Sequence, residues 1–250
     1  MTAPALSVRG LNKRFGGLVV AQSIDLDLMP GARVGLIGPN GAGKTTFVNL
    51  LTGFLAPDSG AISLEGTAIE RMKPEDRVRR GLARTHQINT LLAEDSVRDN
   101  VAIAIAEREG IAWRLLRFGK EWRRCCDEAQ QRLDEIEIGG VAERCVSQLP
   151  YGEQRLLEIG IALALSPRVL LLDEPAAGVP SYETDVIHQA LGRMPADIAI
   201  LIIEHDMDVV FRFAHEIVVL VQGRALMRGT PEAVSADPRV RAVYLGKTAR

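Results

Sequence analysis

An α/β core carrying a small antiparallel β subdomain and an inserted helical lobe is the fold class this sequence predicts, on three observations. Short, nearly continuous apolar runs at Val34–Ile37, Val169–Leu172 and Ile198–Ile203 read as strands of a parallel sheet buried on both faces, with helical stretches between them. Alternation of Ile24, Leu26 and Leu28 with Ser23, Asp25 and Asp27 reads as a half-exposed strand, and Ala61–Leu64 as another, which gives a second, antiparallel sheet. From Ser96 through Ser166 the pattern is mainly helical.

Taken in order, the first buried strand runs into Gly38–Thr45, GPNGAGKT, and a helix-compatible stretch, Thr45–Thr52, follows. Strand, glycine-rich loop and helix in that order form a phosphate-binding loop. Gly38, Gly41 and Gly43 let the backbone curl so that amide hydrogens face inward, and the helix adds the positive end of its dipole. Lys44 is expected to reach the β and γ phosphates of a nucleoside triphosphate, and the Thr45 hydroxyl to join a Mg²⁺ shell. The expected cradle is Gly38, Pro39, Asn40, Gly41, Ala42, Gly43, Lys44, Thr45 and Thr46.

Further on, Ser96 is placed to cap a helix with Asp99 in its first turn, and Gly110, Gly119 and Gly139-Gly140 divide the lobe into several helices. The expected boundaries are 1–90 and 165–250 for the core and 91–164 for the lobe. Gly223 marks a turn after the last core strand, Thr230-Pro231 starts a short helix with proline at its first position, and Pro238 starts another.

With 250 residues, 47% hydrophobic and 25% charged, the chain can bury a sizeable core. Its net charge of −2 gives no broad attraction to nucleic acid, and no nucleic-acid partner is expected. The basic stretches Arg77–Arg84 and Arg114–Arg124, mixed with apolar residues or Glu, read as surface. Three cysteines, Cys125, Cys126 and Cys145, without CxxC spacing, point to a reducing compartment and away from a disulfide framework or zinc site. No apolar run approaches the ~20 residues that span a bilayer, and Met1–Ser7 lacks the apolar core of a signal peptide, so a cytoplasmic place is expected.

Two further motifs choose the chemistry. VLLLDEP, Val169–Pro175, is a buried strand ending in two carboxylates: Asp173 is positioned to hold the Mg²⁺ shell and Glu174 to polarise an attacking water. In EHDM, His205 follows the strand Ile198–Ile203 at its carboxyl end, where it can donate to the γ phosphate and orient the water. His86, His188 and His215 are assigned to the surface or to caps.

The phosphate loop, VLLLDEP, EHDM and LPYGEQR at Leu149–Arg155 together closely resemble the ATPase subunit of an ABC transporter over nearly the whole chain. No guanine-type NKxD motif is visible, so adenine is the base expected. The resemblance implies one ABC ATPase domain over 1–250 with a P-loop NTPase core, ATP and Mg²⁺ as ligands, and a second ATPase subunit, the same or a related chain. It also implies two transmembrane permease subunits, an extracytoplasmic substrate-binding protein acting through them, and a peripheral place on the cytoplasmic face of the inner membrane.

By the same resemblance Phe15, in KRFGG, stacks on adenine, although the residue alone reads nearly as well as a core Phe on an edge strand. Gln87, in RTHQ, is the hinge-loop glutamine that senses Mg²⁺ and the γ phosphate, and Ile88–Leu92 meets the membrane partner. LPYGEQR corresponds to the signature LSGGQ, which closes over the ATP held by the opposite subunit, so Tyr151, Gly152 and Glu153 are expected nucleotide contacts. Pro150 replaces its serine, Tyr151 its first glycine and Glu153 its glutamine, which implies an altered half-site. A helix is expected to begin near Glu153, whose charge would repel a triphosphate unless it points away or pairs with Arg155. After Glu174, Val179-Pro180 stands where the family commonly has an acidic residue.

KRFGG, LTGF, RTHQ, PAAG, IEHDM and the ending DPRVRAVYLG look most like the branched-chain, hydrophobic amino acid uptake group. ATPases of urea uptake and of lipopolysaccharide export share part of this vocabulary. A soluble ABC ATPase acting on ribosomes or DNA, and a phosphoryl-transfer kinase, are the alternatives from other classes. The first commonly has two cassettes or a long coiled coil, and the second needs an acceptor site; the sequence offers neither signal.

Overall fold

The computed structural model describes residues 3–85, 91–112, 119–179, 184–205 and 207–245. Strands β1 (Leu6–Phe15), β2 (Leu18–Leu28), β4 (Ser59–Leu64) and β5 (Thr67–Ala68) form an antiparallel sheet in the order β2-β1-β4-β5. In β2 the alternation appears directly: Ile24, Leu26 and Leu28 are buried while Ser23 and Asp25 are exposed.

Strands β3 (Arg33–Ile37), β6 (Leu82–Arg84), β7 (Val169–Asp173), β8 (Ala199–Ile203), β9 (Glu216–Val221) and β10 (Arg224–Gly229) form the second sheet, in the order β10-β9-β3-β8-β7-β6. Pairing is parallel from β9 across to β6, and β10 closes the edge antiparallel to β9. Every residue of β7 and β8 is buried, as their unbroken apolar runs require. Because β3, β7 and β8 are parallel neighbours, the residues that follow them, at 38, 174 and 204, emerge along one edge of the sheet.

Helix α1 (Lys44–Thr52) follows β3, and α2 (Pro74–Arg79) precedes β6. Helices α3 (Val97–Arg108), α4 (Lys120–Glu135) and α5 (Tyr151–Ala164) lie between β6 and β7. The Ser96 hydroxyl accepts the Asp99 N–H at 3.0 Å and starts α3, and Gly119 stands at the start of α4. Trp122, Cys125, Ala129 and Leu133 make the buried stripe of α4. This helical core does not close on itself: Ile105, Leu133 and Leu156 share one cluster with Leu170, Leu172, Ile200 and Ile202 on one face of the sheet. The opposite face, through Val169, Leu171 and Leu201, packs with α1 and the antiparallel sheet.

Helices α6 (Thr184–Gly192), α7 (Met207–Phe213), α8 (Pro231–Ala236) and α9 (Pro238–Leu245) complete the described fold. Thr230 caps α8 by accepting the Ala233 N–H at 3.3 Å, with Pro231 in the first helical position.

The surface reading of Arg77–Arg84 holds for Arg79 and Arg80, which are exposed, and is overturned for Arg77 and Arg84. Arg77 is 1% exposed, and its guanidinium donates to the carbonyls of Leu50, Leu51, Glu70 and Met72, so it satisfies the carboxyl end of α1. Arg84 is held in an ion pair with Asp173. Unpaired carbonyls and a buried carboxylate draw these cations inward, against the water that a basic run otherwise prefers. In the second stretch Arg123 and Arg124 are exposed, and Arg124 pairs with Glu109.

Candidate nucleotide site

The loop between β3 and α1 is moulded by other parts of the chain. A Cβ at Gly38 would lie 2.2 Å from the Leu220 carbonyl oxygen, and one at Gly43, where φ is 102°, would lie 2.5 Å from that of Val20. Only glycine admits such approach. Gly41, at φ 78°, has open space around it and needs glycine for conformation alone. The Gly223 N–H donates to the Ala42 carbonyl at 2.8 Å, which clamps the loop to the β9–β10 turn, and the Ala42 N–H donates to Pro39 at 3.0 Å. Gly43 caps α1 without a side-chain acceptor, so the first-turn amides remain suited to an anion.

Lys44 is buried, and its Nζ donates to the Gly38 carbonyl at 2.6 Å and to that of Pro39 at 3.4 Å. Burial lowers its pKa, opposed by the charges of Glu174, Asp173 and Glu204. One ammonium thus faces three carboxylates. Asn40 and Thr45 are exposed, Pro39 and Thr46 half-buried. Beside the loop a concavity of about 520 Å³ is lined by Leu18, Val19, Val20, Gly41, Val221 and Arg224, among others. Phe15 pairs with Leu18 across the β1–β2 turn and is 48% exposed, so the core reading of this aromatic is excluded. The strand that carries it is also internal to its sheet.

Asp173 ends β7. Its Oδ2 lies 2.6 Å from Arg84 Nη2, and its N–H donates to Thr85 Oγ1 at 3.2 Å. Glu174 turns the chain sharply at φ 50°, a left-handed conformation that is costly outside glycine, and its N–H donates to the Ile203 carbonyl at 2.8 Å. The ends of β7 and β8 are thereby stitched together. His205 Nδ1 stands 3.9 Å from Glu174 Oε1 and 3.7 Å from Glu204 Oε2.

Glu204 escaped the sequence reading. It is 1% exposed, accepting the Ala176 N–H at 3.1 Å on Oε1 and the His205 N–H at 3.2 Å on Oε2, and burial pushes its carboxyl upward. A charge directly after an unbroken apolar strand was the available signal. Tyr244 on α9 also escaped. Its hydroxyl makes no hydrogen bond among the described residues, and burial pushes it up to about 12, opposed by the nearby backbone N–H of Gly38.

Asp173, at a strand end, and Thr45, exposed in the first turn of α1, carry oxygen donors of the hard kind that suits Mg²⁺ bound together with phosphates. Gln87, the other expected metal contact, lies outside the described residues, as does Pro180.

At the signature, α5 begins at Tyr151, two residues before the expected start near Glu153, with Pro150 in the capping position. Arg155 pairs with Glu158 at 2.7 Å and donates to the Tyr151 hydroxyl at 2.6 Å, its guanidinium 5.0 Å from the Tyr151 ring centre. The partner of Arg155 is therefore Glu158 and not Glu153. One helical turn separates that pair, and the helix presents them on one face. Glu153 Oε2 is buried and makes no hydrogen bond among the described residues. Gly152 is buried, and a Cβ at Gly178 would lie 3.3 Å from the Tyr151 ring. The first residues of α5 thus pack on the loop after Glu174.

The ABC transporter family profile matches residues 21–177, and that of the branched-chain amino acid ATP-binding cassette transporter matches residues 226–250. The high-affinity branched-chain amino acid transport ATP-binding protein LivG of Escherichia coli K12 is 39% identical over 99% of this chain and 100% of its own length. BraF of Pseudomonas aeruginosa, with the same description, is 37% identical over the same shares. Among solved structures, the ADP conformation of MJ1267, an ATP-binding cassette of an ABC transporter, superposes with a TM-score of 0.85 at 28% identity, covering 98% of this chain and 100% of that one. Among the described residues no helix is long and apolar enough to cross a membrane.

Proposed function

The chain belongs to the ABC transporter ATP-binding family, and from that premise we propose that it is the ATP-hydrolysing subunit of an importer for branched-chain or other hydrophobic amino acids. The observation that carries the reading is the meeting of Lys44, Asp173, Glu174, Glu204 and His205 beyond the carboxyl ends of β3, β7 and β8. The substrate class is supported by the branched-chain amino acid transport for which LivG and BraF are named and by the match at 226–250.

In this reading the amides of Gly38–Thr46 and the Lys44 ammonium hold the phosphates, and Phe15 offers its exposed face to adenine. Asp173, Thr45 and Gln87 would hold Mg²⁺, which would supply charge neutralisation at the phosphates. Glu174 accepts a proton from the attacking water, and His205 orients that water and the γ phosphate. Glu204 fixes the backbone on both sides, at Ala176 and His205. Tyr151, Gly152 and Glu153 close over the ATP of a second ATPase subunit. The core at 1–90 and 165–250 binds nucleotide, and the lobe at 91–164 transmits closure to two permeases served by an extracytoplasmic binding protein. The chain then works at the cytoplasmic face of the membrane, held there by its partners.

Glu174→Gln is expected to lower turnover by at least about 10²-fold while nucleotide binding persists; unchanged hydrolysis removes Glu174 from its role. Isolation of the complex from native membranes, followed by a screen of its binding protein against amino acids, tests the import reading. A preparation without any membrane partner overturns it.

A further inference from the structure

Arg84 joins three elements. It is the last residue of β6, its Nη2 lies 2.6 Å from Asp173 Oδ2 at the end of β7, and its Nη1 donates to Asn49 Oδ1 on α1 at 2.8 Å. Asn49 stands four residues after Thr45, on the same face of α1. The side chains of Arg84 and Asp173 are 11% and 2% exposed, so water does little to hold either one. A planar guanidinium presents its donors in a rigid fork, and here the two ends of that fork are bonded to two different elements. Arg84 therefore links the Asp173 carboxylate directly to the helix that carries Thr45.

We propose that Arg84 is a positioning residue for Asp173, holding its carboxylate in a fixed relation to the phosphate-loop helix so that Asp173 and Thr45 present their oxygens to one metal ion. The proposal rests on the reading of Asp173 and Thr45 as the metal side of the site. Simple charge opposition predicts the reverse, because a cation beside Asp173 weakens its attraction for Mg²⁺. Partners that orient a ligating carboxylate nevertheless commonly raise metal affinity by 10–100-fold, and the doubly anchored fork has the geometry for that role. Lysine, with a single ammonium at the end of a flexible stem, replaces the charge without the fork.

The test uses the full chain with ADP, which avoids turnover, and Mn²⁺ in place of Mg²⁺, followed by the electron paramagnetic resonance of free Mn²⁺. Arg84→Gln is expected to raise the Mn²⁺ concentration at half-saturation by about tenfold, with ADP affinity in excess chelator nearly unchanged. Arg84→Lys is expected to fall between the two, and Asn49→Ala to shift in the same direction by less. Folded Arg84 variants that bind Mn²⁺ as well as the parent, or more tightly, overturn the proposal. If Arg84→Gln does not fold, the other two decide, and wild-type Mn²⁺ binding by both overturns it equally. Asp173→Asn separates the two levels: if it leaves Mn²⁺ binding unchanged, the metal reading of Asp173 fails, whereas loss there beside normal Arg84 variants sinks the positioning role alone.

Discussion

At Gly38–Thr45 the chain curls into α1 beneath the carbonyls of Leu220 and Val20, while at Leu149–Arg155 it enters α5 through Pro150 and is braced by Tyr151, Arg155 and Glu158. Both segments lead into the start of a helix. The first is shaped by backbone against backbone, where only the absence of a side chain satisfies the fit; the second is shaped by side chains, an aromatic ring and an ion pair. A glycine-built segment is intolerant and legible in sequence. A side-chain brace has no local signature and must be seen in three dimensions.

That contrast can be broken most directly at Gly43. Gly43→Ala combines a left-handed backbone with contact on the Val20 carbonyl, and is expected to cost about 4 kcal/mol and at least about 100-fold in ATP affinity. Denaturant unfolding and titration with a fluorescent nucleotide measure the two effects, and an Ala variant that binds normally would end the distinction. Gly41→Ala, with open space around it, is expected to lose only about 1 kcal/mol. On the other side, Glu158→Ala leaves the Arg155 guanidinium buried without its carboxylate and is expected to lower unfolding free energy by about 3 kcal/mol, leaving ADP binding at the phosphate loop intact.

A smaller effect sharpens the comparison at the point where the brace meets the loop after Glu174. Gly178→Ala and Tyr151→Ala are each expected to destabilise by about 1–2 kcal/mol, and a double-mutant cycle should show coupling of about 0.5–1 kcal/mol. Strict additivity would mean that the ring and the loop do not bear on each other. The smallest effect at neutral pH concerns Tyr244. Its hydroxyl titrates near 12 in the fold against 10 in an open chain, so the unfolded chain loses its proton first as pH rises. Stability from this group is complete below pH 10 and is lost toward pH 12; Tyr244→Phe should abolish that part of the alkaline decline in thermal midpoint.

Much of the fold was legible because its signals are local. The strands at β3, β7 and β8 follow from unbroken apolar runs, the start of α3 from Ser96 with Asp99, and the β9–β10 turn from Gly223. Strand β6 was not read: three residues, Leu82-Ala83-Arg84, are too few for a period, and its parallel pairing to β7 spans a long stretch of chain. The local pattern places Arg77 and Arg84 at the surface for a related reason. A run of arginines is the same string whether it faces water or the carbonyls of Leu50 and Leu51. Within the site, strand ends located Asp173, Glu174 and His205, but which atoms meet depends on folding. The approach of His205 to Glu174, and the burial of Glu204 between Ala176 and His205, are tertiary facts without a local signature.

The pressure of Val20 on Gly43, of Leu220 on Gly38, and the bonds that Gly223 makes to Ala42 and Gln22 have a consequence for transplantation. GPNGAGKT grafted alone onto another strand–helix junction carries the pattern without the mould that casts it. The portable unit is discontinuous: the loop, the stretch of β2 around Val20 and the β9–β10 turn, three pieces drawn from opposite ends of the chain. A designer who moves them together, with their spacing kept, transfers the grip on phosphate; one who moves the eight letters transfers only a flexible turn.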